Sequence, residues 1–178
     1  MKSTIRMGSF LLATSLAYGQ DATVAALRSL YEGQQGNIVA AAEKIKETDY
    51  GFAPSHDVMS VRAILAHLGD VNYGICSSLK GEKNPSAGGI EKRTTTKAEL
   101  MTALNESYAY CNGVLGGMKD ADLAATYQAG ATTRTKAWNA LHLLEHMTLH
   151  YGNIITYMRI RGLVPPETER RQMQMKKK

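Results

Sequence analysis

The chain has 178 residues, 44% of them apolar, and a formal net charge of +5. That length suits one domain able to bury a real core. The excess charge sits at the ends, at Lys2 and Arg6 and again at Arg170, Arg171, Lys176, Lys177 and Lys178. Gln20 to Glu169 therefore carries fourteen basic against sixteen acidic residues, a net −2, without the basic face that a nucleic-acid partner requires.

Residues 1–19 read as a secretory signal: Lys2 and Arg6 supply the positive start, Met7 to Leu16 the apolar stretch, and Ala17-Tyr18-Gly19 a small-x-small cleavage site. The alternative is an amphipathic first helix of the domain. The apolar stretch is too short to span a bilayer and no later one is longer, so the expectation is an exported protein, periplasmic or extracellular, without stable membrane insertion. The mature domain is expected over 20–167, followed by a basic tail, 168–178, as a frayed and solvated end.

Within the domain, Asp21 is a good N-cap for a first helix running to Ile45, weakened but not broken by Gly33 and Gly36. Thr48 to Met59, with Gly51 and Pro54, reads as a loop. A second helix starts at the Ser60 cap and ends at Gly81. A long polar connection with Pro85, Gly88 and Gly89 follows. The third helix opens at Thr96 with Glu99 three residues on, a capping-box pattern, and runs to about Met118. Asp120 to Gly130 is a second connection. The fourth helix begins near Thr132 or Thr133 and ends at Arg161, where Gly162 caps it and Pro165-Pro166 forbid continuation. No strand-like alternation is present. The fold class is all-α, a four-helix bundle with a long loop between helices two and three.

Chain directions follow from matching heights. His67 lies about seven residues after the start of helix two, and His150 about eleven before the end of helix four. At roughly 1.5 Å per residue these meet if the two helices are antiparallel, and miss by roughly 15 Å if parallel. Cys76 and Cys111 lie sixteen and fifteen residues beyond their helix caps, Ser60 and Thr96, so they match only if helices two and three are parallel. Both arguments give up-down-down-up. In an oxidising compartment the two cysteines tend to close into a disulfide; two separately buried thiols are the alternative.

His146 and His150 stand one helical turn apart in LLEHMTLHYGN, and His67 lies upstream in AILAHLGD. An i, i+4 pair projects both imidazoles from one side of a helix, and a third from another helix completes a facial set with open coordination positions. These three are the candidate metal ligands, for a divalent transition ion and a small-molecule substrate left unnamed. The competing reading makes each a hydrogen-bonded seam residue. Asp70, one turn after His67, could orient a histidine or face the ion. His142 points largely to the opposite side of its helix, Glu145 reads as a surface charge, and His56 as solvated. No catalytic residue is legible: Ser-His-Asp, HExxH and Gly-rich phosphate patterns are all missing.

RAILAHLGDVNYGICSSLKGEKNP, the Tyr108-Ala109-Tyr110-Cys111 run and LHLLEHMTLHYGNIITYMRIRGLVPPET together resemble the DinB-like (DinB/YfiT) superfamily, in particular its exported members. The resemblance spans roughly Val24 to Glu167. It implies a four-helix bundle, often a homodimer, in which His67, His146 and His150 bind a divalent metal, usually zinc or nickel. Some relatives are thiol-dependent enzymes, maleylpyruvate isomerase using mycothiol and transferases using bacillithiol; an exported protein would not readily meet those cytosolic thiols. Two functions are therefore expected in competition: a metal-dependent hydrolase or group transferase, and a non-catalytic exported bundle that binds metal for stability or acts as a binding or stress-associated protein.

Overall fold

A computed structural model describes residues 21–86 and 89–177; the segment expected to be a secretory signal lies outside them. The main helices are α1 (Ala22–Lys44), α2 (Val61–Lys80), α4 (Lys97–Gly117) and α5 (Lys136–Ile160), with a single-turn α3 (Ile90–Arg93) before α4 and a C-terminal α6 (Pro166–Met175). Among the described residues no helix is long and apolar enough to cross a membrane.

The bundle runs up-down-down-up. Arg62, at the start of α2, donates to the Thr94 carbonyl beside the start of α4, and Cys76 and Cys111 are joined near the far ends of the same helices, Cα to Cα 5.3 Å. Those two helices are therefore parallel. Asn139, at the start of α5, donates 3.5 Å to the Ile75 carbonyl late in α2, which sets α5 antiparallel to α2. The core is filled by Tyr31, Ile38, Leu65, Leu68, Leu104, Tyr108, Leu143 and Met147, all essentially inaccessible to solvent.

Helix ends follow from local chemistry. The Ser60 side chain accepts from Ala63 N–H, and Gly81 closes α2 in the left-handed region at φ 79°, where a side chain would be strained. Thr96 and Glu99 form the expected capping box on α4. Asp21, expected to cap α1, makes no capping bond with its side chain. Asp120 does that work from a distance, its carboxylate accepting from Thr23 and Val24 N–H at 3.0 and 2.8 Å. Ladder contacts thus tie the start of α1 to the end of α4.

Three expectations change. The Asp120–Gly130 connection is a 3-10 turn (Asp120–Ala124) leading into an antiparallel hairpin, β1 (Thr126–Ala129) with β2 (Thr132–Thr135). Strands of four residues are too short to show a clear alternation. Residues 132 and 133 therefore belong to β2, and α5 begins after Thr135, whose hydroxyl accepts from Trp138 N–H. The tail is not frayed: Pro166 sits in the first turn of α6, where its missing N–H costs nothing, and Glu169 and Arg170 tie the helix to Lys44 and Asn37 of α1.

The disulfide closes a loop of 35 residues in sequence. Replacing Cys76 and Cys111 together by Ala should lower unfolding free energy by about 2–4 kcal/mol, read from the urea midpoint; an unchanged midpoint contradicts a stapling role.

Candidate metal centre

The antiparallel pairing of α2 and α5 brings His67 level with His146 and His150, as the height argument requires. One donor nitrogen from each imidazole lies within 4.8 Å of the other two. The Nε2 atoms of His67 and His146 face each other at 3.0 Å. Ring centres are 4.5 Å apart for His146 and His150, and 5.1 Å for His67 and His150.

The cluster is partly removed from water. His150 is buried, and His67 and His146 are half-buried. Burial, followed by the nearby His150, His67 and His142 rings, pushes the pKa of His146 down to about 4. Burial and the neighbouring His67 push His150 down as well. Both are neutral at pH 7 and so offer lone pairs. The Nδ1 atoms of His146 and His150 are buried with no hydrogen-bond partner, while Nε2 of His146 points into the cluster. Three imidazole nitrogens converging on one point fit a divalent transition ion.

The remaining candidates are sorted by their contacts. Asp70 lines the same depression, but its carboxylate is engaged elsewhere: Ile90 N–H donates to both oxygens at 3.0 Å, and the Ser86 hydroxyl to Oδ1 at 3.0 Å. It anchors the α2–α4 connection across the bundle, where the buried Ile90 packs against the Cα of Gly69. No imidazole is among its hydrogen-bond partners. Glu145 is a surface charge, and His56 is exposed, both as expected.

His142 departs from expectation. Rather than turning away, it lines the depression beside His67 and His146, its ring centre 6.0 Å from that of His146. Its Nδ1 faces the Glu145 carboxylate at 3.1 Å, and its ring stacks on Trp138 at 4.8 Å. The signal was available: residues 138, 142, 146 and 150 repeat every four positions, and such a row drifts only slowly around a helix. Val71 and Ile75 are half-buried and form an apolar wall of the same depression. Asn72, by contrast, is buried between α2 and α4, donating to Ser107 Oγ at 3.1 Å.

A family model described as the DinB superfamily matches residues 30–154. No curated protein matches the chain. Among solved structures, the chain is similar to a DinB-like protein from Bacillus subtilis at 20% identity and TM-score 0.65, over 77% of this chain and 92% of that one. It is similar to a DinB-like protein from Bacillus cereus at 12% identity and TM-score 0.68, over 80% and 95%. A mycothiol-dependent maleylpyruvate isomerase mutant aligns at 10% identity and TM-score 0.61, over 74% of this chain and 60% of its own. At such identities these likenesses show a common fold. With the family match covering most of its length, the chain belongs to the DinB superfamily.

Proposed function

We propose that this protein is an exported metal-dependent enzyme of hydrolase or group-transferase type, in which His67, His146 and His150 hold a divalent transition ion, zinc or nickel as the family resemblance implies. The observation that carries this reading is the convergence of three imidazoles from two helices on the edge of a solvent-facing depression. Structural zinc sites are closed by four protein ligands, whereas catalytic ones keep a position open. Three ligands beside an open depression match the second pattern.

A bound ion would supply a doubly charged Lewis acid, lowering the pKa of a water or thiol that reaches it. The chain's own residues have the other tasks. The three histidines hold the charge at one height between α2 and α5. Val71 and Ile75 present an apolar wall that excludes water from one side of an incoming molecule. His142, outside the donor set and paired with Glu145, is the group placed to carry a proton between the depression and solvent. Export rests on the N-terminal signal pattern and accords with the Cys76–Cys111 disulfide.

A non-catalytic reading has one observation in its favour: the buried Nδ1 atoms of His146 and His150 lack the carboxylate or carbonyl acceptors that tune catalytic histidine ligands. The two readings part in one experiment. His150→Ala should abolish metal content and any turnover in a panel of hydrolase and thiol-transfer assays, and His142→Gln should keep the metal while losing turnover. Full metal retention in His150→Ala contradicts the ligand set. A large loss of melting temperature on chelation, with no turnover from the loaded protein, supports the structural role.

Acid provides a second check. The folded-state pKa of His146, about 4, lies below the ordinary 6.5. Above pH 6.5 the imidazole is neutral in both states and the contribution to stability is full. As pH falls from 6.5 through 4, the unfolded chain takes up the proton first and stability drains away. Metal binding needs the same neutral form. The rise in melting temperature on adding zinc should therefore shrink across that window; a rise that is constant from pH 7 to 4 contradicts the assignment.

A further inference from the structure

We infer that the outer face of α5 is where a second copy of this chain docks, antiparallel and two-fold about Gly152, with Glu145 of each protomer against the partner's Arg159. The metal centre plays no part in the pairing.

From Ala137 to Met158, α5 holds one residue among Asp, Glu, Lys and Arg, and that is Glu145. The outer sides of α1 and α4 are charged by contrast, exposing Arg28 and Glu32 on the first, Glu99 and Glu106 on the second. What α5 exposes is largely apolar: Leu141, Leu149 and Ile160 are 59, 61 and 57% exposed. With Trp138 they fall inside an arc of about 100° at helical spacing. Scattered single leucines on a surface need no explanation, whereas a row of them along one outer helix marks a contact surface.

The charges on this face decide what the partner is. Glu145, Gly152 and Arg159 recur every seven residues, a spacing that drifts only about 20° around a helix at each step. They form one stripe, with Gly152 at its centre and opposite charges about 10.5 Å to either side. Such a stripe is complementary to itself. A copy laid antiparallel across Gly152 brings Glu145 level with the partner's Arg159, and Arg159 level with the partner's Glu145. An unrelated acidic or basic partner would match one sign and oppose the other. Arg159 takes part in none of the salt bridges formed among the described residues, and its guanidinium has long contacts of 3.4 Å to the Ile155 carbonyl and the Thr168 hydroxyl. Gly152 permits the crossing: nothing lies within 4 Å of where its Cβ would stand, and two backbones can approach closely there. Leu149, one turn earlier, packs beside the partner's Gly152 and the partner's Thr156. In the same register Ile160 comes level with the partner's His142, which lines the histidine depression. The second copy thus adds to the rim of each site.

Sedimentation equilibrium of the purified protein, with zinc and after chelation, reads the pairing directly. The wild type should show twice the chain mass at concentrations on the order of 10 µM in both conditions. Gly152→Gln suits a helix better than glycine and meets open space in its own chain. That substitution and Leu149→Glu should each raise the dimer dissociation constant at least about tenfold, with the helical circular dichroism unchanged. Each ion pair occurs twice in a symmetric dimer. Glu145→Arg or Arg159→Glu alone should therefore weaken pairing by a similar factor, and the two together should restore it. If Gly152→Gln does not fold, Leu149→Glu decides. A monomer at that concentration, a dimer indifferent to both substitutions, or a double exchange as weak as the single ones overturns the inference. Doubling of mass only with zinc overturns it too, while leaving the metal centre standing. A dimer in protein that takes up no zinc supports the pairing and counts against the metal centre alone.

Discussion

Three imidazoles with nitrogens inside 4.8 Å of one another resist becoming cations together, above all where water is partly excluded. That constraint organises the molecule. Burial and mutual repulsion keep His146 and His150 neutral, and neutrality makes them electron-pair donors. The cluster is poorly matched to hydrogen bonding alone and well matched to a cation.

Holding three rings at one height demands a scaffold that resists sliding. A slip of one turn along α5 would move its histidines by about 5.4 Å and dissolve the set. The disulfide pins α2 to α4 near one end, and Arg62 pins the other end through carbonyls of the α3–α4 connection. Asp70 braces the middle by holding Ile90. Its charge therefore sits within the site's depression while its hydrogen bonds serve the bundle. Asp49 and Arg161 clamp the end of α5 against the turn after α1.

Much of this was legible because helical periodicity and cap chemistry are local. The Ser60 and Thr96 caps, Gly81, the Cys76–Cys111 pair and the convergence of His67 with His146 and His150 follow from spacing and rise per residue. What escaped depended on tertiary context. Asp120 outcompetes Asp21 as the cap of α1 because the end of α4 delivers it there, which no local pattern encodes. The hairpin strands are four residues each, below the length at which alternation is visible. His142 was misplaced because a helical wheel gives direction relative to an assumed core, and the true core of α5 centres on Leu143 and Met147 rather than Leu144. The helical tail was hidden by a run of basic residues that resembles a solvated end, although Pro165-Pro166 carry a helix-start signal as well as a stop.

Belonging to the DinB superfamily gives the scaffold, and chemistry is then decided by what each chain places around its histidines. Here that is an apolar wall of Val71 and Ile75, with His142 beside His146. X-ray absorption at the metal edge of the zinc- or nickel-loaded protein tests the centre most directly. The account predicts three imidazole nitrogens at about 2.0–2.1 Å with the remaining coordination exchangeable. Sulfur in the shell, or fewer than three imidazoles, would contradict it.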